Sequence, residues 1–99
     1  MELNTNLTAE QARFAVWIEE RIPYLMPLFD FSDQGEYLPE KVERYLGVAS
    51  SGQVIMAKFV LGVWLHQDKF DFDFTDAAMT LDKQNMSVIT EWLDHPEWP

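Results

Sequence analysis

GQVIMAKFVLGVWLH, residues Gly52 to His66, is the stretch whose reading decides the fold. Only Gln53, Lys58, Gly62 and His66 interrupt its apolar run. On a helix, Lys58, Gly62 and His66 fall at i, i+4 and i+8 and share one narrow stripe. Val54, Ile55, Met56, Phe59, Val60, Leu61, Val63, Trp64 and Leu65 cover the remaining surface. A helix apolar on so many sides must be enclosed by its neighbours. The expected fold is therefore all-α, a compact bundle of about five short helices around a buried central helix at 52–66. Ser50 and Gln53 have the spacing of a capping box that would start this helix. Gly62 runs against helix propensity by about 1 kcal/mol relative to Ala. A neighbouring helix crossing close to the bare backbone would account for it.

Working outward, Thr8 and Gln11 have the same box spacing, with Leu7 as a staple residue before them. They predict a helix over Ala9–Arg21. Phe14, Trp17, Ile18 and Arg21 recur at i, i+3, i+4 and i+7, with Ala15 and Ile22 beside them, while Glu10, Arg13, Glu19 and Glu20 look outward. Pro23 and Pro27 bar a smooth continuation, though Pro23 suits the first turn of a short helical piece reaching Leu28. Residues 30–37 have the Ser, Asp and Gly content of a loop. Pro39 opens a helix to Leu46 that offers Val42, Tyr45 and Leu46 to the core, and Gly47 is a left-handed stop behind it.

Beyond His66, Phe70-Asp-Phe-Asp-Phe74 alternates with the strand period. A lone strand has no partner here. The segment is read instead as extended chain, with Phe70, Phe72 and Phe74 toward the core and the aspartates in water. Asp73 or Thr75 caps a short helix over 76–81. Asp82 caps a last one over 83–94, where Met86, Ile89 and Leu93 share a face beside Trp92. Residues 1–7 form a loose arm and 97–99 a tail, and 1–99 is expected to be a single domain.

Seventeen acidic against seven basic residues give a net charge of -10. This balance disfavours direct contact with nucleic-acid phosphates and with anionic membranes. It allows a protein partner with a basic surface, and acidity alone is also a common route to solubility. Cysteine is absent, which removes disulfides, thiolate catalysis and cysteine-ligated metals. The opening MELNTNLTAE has no basic region followed by an apolar one, and the central apolar run is shorter than the ~20 residues of a membrane span. The expectation is a soluble, cytoplasmic protein.

Chemical motifs are weak. An EF-hand reading of Asp71 onward fails, because the sixth position is Asp76 where glycine is needed. His66 and His95 lack metal-ligand spacing and read as helix-end residues. No nucleophile elbow surrounds Ser50, Ser51 or Ser87, and the four glycines are too scattered to cradle a phosphate. Glu40 and Arg44 are an i, i+4 surface pair. No enzyme activity, cofactor or metal is expected.

Charge and aromatic residues are unevenly placed. Residues 68–99 carry eight acids and two bases, against nine and five in the first 67. Trp98 and some of Phe29, Phe31, Tyr37 and Trp92 are expected to exceed what a core of this size can cover. Aromatic residues rimmed by charge are common in protein interfaces. The expected partner-binding residues are accordingly Asp68, Asp71, Asp73, Asp76, Trp92, Asp94, Glu97 and Trp98. The leading functional expectation is a small, acidic, non-enzymatic adaptor or regulatory binder, with an apolar content that also suits a homodimer. The alternative is a nucleic-acid mimic of the phage or mobile-element type, inhibiting a nucleic-acid-binding protein; it requires carboxylates in a row on one face. A third, enzymatic, reading requires Lys58, His66 and an aspartate from 68–76 to meet in a cleft.

Overall fold

The computed structural model describes residues 6–32 and 35–99. The fold is all-α. Its helices are α1 (Ala9–Arg21), a 3-10 helix (Pro23–Leu28), α2 (Pro39–Val48), α3 (Ser51–Leu65), α4 (Phe74–Thr80) and α5 (Lys83–Asp94). Two very short strands, β1 (Phe29–Asp30) and β2 (Glu36–Tyr37), make the only described sheet. The chain groups into two compact units. One holds the residues up to Arg44 together with Glu97–Pro99, and the other holds Tyr45–Pro96. Most of the expected N-terminal arm lies outside the described residues.

In the first unit, the Thr8 hydroxyl accepts a hydrogen bond from the Gln11 N–H at 3.0 Å, and the Gln11 side chain accepts one from the Thr8 N–H at 3.1 Å. This completes the box and starts α1. Phe14, Ala15, Ile18 and Ile22 are buried, while Trp17 is half-buried and tilted against Phe14 at 5.7 Å. Arg21, expected on the same face, is exposed. Pro23 then opens the 3-10 helix, which buries Leu25 and Leu28.

The expected loop at 30–37 is bounded by a sheet. Phe29 pairs with Tyr37 and Asp30 with Glu36, antiparallel. Two-residue strands are too short to leave an alternating pattern in the sequence. They are held from the side: Phe29 and Phe31 are buried and stacked at 5.2 Å. Gly35 supplies a positive φ of 79°. The Asp30 carboxylate accepts hydrogen bonds from the Ser32 hydroxyl and N–H, which hold its pKa below the usual aspartate value.

α2 does not stop at Gly47. The helix passes through that residue to Val48, and the Ala49 N–H still bonds the Tyr45 carbonyl at 2.9 Å. Among the described residues, only Gly35 is a glycine with positive φ, so Gly47 is not a left-handed stop. Propensity made Gly47 a reasonable terminator, but the local hydrogen bonding carries the helix on to Val48. On α2, Val42 is buried and Tyr45 and Leu46 are half-buried. The Tyr45 hydroxyl is buried without a hydrogen-bond partner among the described residues, and burial raises its pKa. An unsatisfied buried hydroxyl costs about 1–3 kcal/mol. Tyr45→Phe should therefore leave the protein as stable or up to about 1 kcal/mol more stable in urea unfolding. A clear loss would reveal a partner for that hydroxyl.

The second unit is built on α3. The Ser50 hydroxyl accepts from the Gln53 N–H at 3.3 Å and the Gln53 side chain accepts from the Ser50 N–H at 3.2 Å. Ile55, Met56, Ala57, Phe59, Val60, Leu61 and Val63 are buried, as the all-round apolar pattern requires. The helix closes at a Schellman turn: the Gln67 N–H bonds the Gly62 carbonyl at 3.2 Å and the His66 N–H bonds the Val63 carbonyl at 3.3 Å. His66 is the left-handed residue of that turn, with φ 57° and ψ 29°, so it lies just past the helix. α3 packs against α4 and α5. α5 starts at Asp82, whose carboxylate accepts from the Asn85 N–H at 2.8 Å, and buries Val88, Ile89 and Trp92 while leaving Leu93 exposed.

Gly62 does not mark a helix crossing. A Cβ placed there would meet only the backbone oxygen of Gln67, at 3.7 Å, an ordinary contact. Gly62→Ala should therefore stabilise the protein by about 0.5–1 kcal/mol through helix propensity. Thermal unfolding checks this; a fall in Tm would mean that the site is tighter than its geometry.

Candidate functional site: an acid-rimmed aromatic surface

The site is built by the chain between α3 and α4 and by the first turn of α4. After His66, the Asp68 carboxylate accepts a hydrogen bond from the Phe72 N–H at 2.7 Å and closes a turn. Asp71, inside that turn, has a left-handed backbone with φ 59°. Aspartate tolerates this conformation better than most residues. Asp73 then caps α4, its carboxylate accepting from the N–H groups of Thr75 at 2.8 Å and Asp76 at 3.1 Å. Four aspartates in nine residues thus include two with backbone duties. The Asp76 carboxylate also accepts a long 3.5 Å contact from the Thr80 hydroxyl. All four are exposed.

The rings do not all turn inward. Trp92 meets Phe59 edge-on at 5.6 Å, Phe59 meets Phe72 at 5.3 Å, and Phe72 meets Phe74 at 4.9 Å. This ladder runs from the core to the surface. Trp92 and Phe59 are each 6% exposed, Phe72 is half-buried, and Phe74 is 59% exposed. The expected alternation fails because the left-handed Asp71 and the cap at Asp73 break the extended chain. Phe74 becomes the first residue of α4 instead of the last inward position of a strand. Met79, on the same short helix, is 76% exposed. The Nζ of Lys69 lies 5.8 Å from the centroid of the half-buried Phe70 ring.

The eight residues singled out from the sequence are divided between the two units, and one of them is buried. Asp68, Asp71, Asp73 and Asp76 belong to this site. Trp92 is a core residue, 6% exposed, and reaches this site through Phe59. Its neighbour Leu93 takes the exposed place instead, because α5 turns its Val88, Ile89 and Trp92 face inward. Asp94 is exposed at the end of α5, 3.2 Å from the His95 Nδ1. Glu97 and Trp98 belong to the other unit, where Glu97 borders a groove on α1 and Trp98 is 51% exposed. Phe29 and Phe31, considered as surplus rings, are core. Phe74 and Met79 were not among the expected contact residues. The available signal was a phenylalanine directly behind an aspartate cap, where the first helical residue often stays in solvent.

Among the described residues, no three His, Asp or Glu side chains converge as a metal site would need. No described helix is long and apolar enough to cross a membrane. No protein-family model, curated protein or solved structure matches this chain.

Proposed function

We propose that this chain is a non-enzymatic binding protein, acting as an adaptor or regulator through a protein partner with a basic surface. The contact centres on Phe74, with Asp71, Asp73 and Asp76 close to it in sequence and Met79 on the same short helix. The observation that carries this reading is the exposed Phe74 ring, packed by Phe72 from behind and flanked in sequence by carboxylates. Aromatic anchors of this kind supply most of the binding energy in many interfaces, and the charged rim sets specificity and association rate. Within 68–76, Lys69 is the one cation against four aspartates. A second copy of the chain would bring like charges together at this face, so a homodimer through it is disfavoured. The cysteine-free, acidic composition supports a cytoplasmic setting.

The nucleic-acid-mimic reading has less support. Asp68 and Asp73 use carboxylate oxygens on backbone N–H groups, and the exposed Phe74 interrupts the run of acids in the sequence. Affinity capture from lysate at low and high salt tests the proposal, with wild type beside an Asp71→Lys/Asp76→Lys variant. The expected result is a partner recovered at low salt, weakened at high salt and lost with the variant. A partner retained equally by the variant contradicts it.

A further inference from the structure

We infer that Met79 is a redox-sensitive modification site: a peroxide oxidises its thioether to the sulfoxide, ahead of the other described methionines and with the fold intact, and so weakens the contact made by the Phe74 surface. The regulatory half rests on the reading of that surface as the contact. The site of oxidation does not.

Selectivity follows from burial. The chain has five methionines and no cysteine, so no thiol competes for the oxidant. Four of the methionines are described. Met56 is fully buried on α3, Met26 and Met86 are half-buried, and Met79 is 76% exposed. An oxidant must reach a sulfur lone pair, so exposure sets the order of reaction. Of these four sulfurs, that of Met79 is met first from solution.

The position on α4 decides what oxidation does. An α-helix turns about 100° per residue, which puts Met79 nearly opposite Ala77, the buried residue of α4. Thr75, four residues before Met79, is exposed, and so are Phe74 and Ala78, the i, i+4 pair beside them. Met79 thus extends the exposed apolar side of the helix that Phe74 begins. A sulfoxide oxygen there enters water, whereas on Met56 it would enter a close-packed interior.

The step is an oxygen transfer. A sulfur lone pair attacks one oxygen of hydrogen peroxide, the S–O bond forms and the O–O bond breaks. The departing hydroxide takes the proton of the transferred oxygen and leaves as water. Sulfur loses two electrons and the peroxide gains them. A flexible apolar side chain becomes a polar one, which is costly to bury against a partner.

The test treats the full chain with hydrogen peroxide and maps sulfoxide by peptide mass spectrometry. The expected result is oxidation of Met79 at least about fivefold faster than of Met26, Met56 or Met86, with circular dichroism and Tm unchanged and the thioether restored by methionine sulfoxide reductases. Capture of the partner that the Asp71→Lys/Asp76→Lys variant loses is then compared for untreated and oxidised chains and for Met79→Leu. Leucine fills a similar volume and cannot take up oxygen. Oxidation should weaken binding about tenfold, while Met79→Leu should bind as wild type and ignore peroxide. Earlier oxidation of Met26, Met56 or Met86, or a Tm that falls as Met79 oxidises, overturns the site and leaves the Phe74 reading standing. A partner held equally by the oxidised chain, or a Met79→Leu chain that peroxide still weakens, overturns the switch and also leaves that reading standing. Failure to capture any partner sensitive to the lysine variant overturns the Phe74 reading, and the switch falls with it.

Discussion

Phe59→Ala should destabilise the protein by about 3–5 kcal/mol, a large part of the roughly 5–15 kcal/mol available to a domain of this size. Phe59 is buried on α3 and holds two edge-on rings, Phe72 at 5.3 Å and Trp92 at 5.6 Å. Truncation removes its own burial and the contacts of both partners, and leaves a cavity at the point where α5 and the acidic turn are tied to the central helix. Urea unfolding should show a lower midpoint at nearly constant slope, because the surface exposed on unfolding changes little. Leu93→Ala, on the exposed side of α5, should stay within about 1 kcal/mol of wild type. If Phe59→Ala cost no more than Leu93→Ala, the ladder would not be the packing centre of this unit.

Phe74→Ala should have the opposite profile. Its ring is mostly in solvent and touches Phe72 from one side, so the stability loss should be below about 1 kcal/mol. Binding of the captured partner should weaken by about thirtyfold or more, the scale of an interface anchor. Calorimetric titration of wild type and variant measures this, with circular dichroism as a control for the fold. Asp71→Asn should give a smaller loss, concentrated in the association rate and diminished by salt, because a rim charge steers the encounter more than it holds the complex. Equal affinities for wild type and Phe74→Ala would remove the ring from the interface.

What the sequence made legible was local or strongly periodic. The Thr8/Gln11 and Ser50/Gln53 boxes are fixed by residues three apart, and both start helices where the spacing places them. The all-round apolar character of α3 likewise required burial on many sides. Features set by competition between local rules were harder to read. Gly47 has the chemistry of a stop, yet α2 carries on through it. Phe74 has the strand phase of an inward ring, yet the Asp73 cap makes it the exposed start of α4. In α5, Trp92 and Leu93 are adjacent apolar residues, and a small rotation of the helix decides which is core. The pairing of β1 with β2 is too short to mark the sequence. That Glu97 and Trp98 group with the first 44 residues depends on where the last residues pack, and that is a long-range property no spacing encodes.

The measurement that tests the central claim most directly is amide hydrogen exchange on the chain alone and with its captured partner. The first turn of α4 and the turn before it expose most of their side chains and should exchange faster than the buried turns of α3 in the free protein. On binding, the account predicts protection gained over residues 71–79, reduced in the Asp71→Lys/Asp76→Lys variant. Protection gained only outside that segment, with 71–79 unchanged, would contradict it.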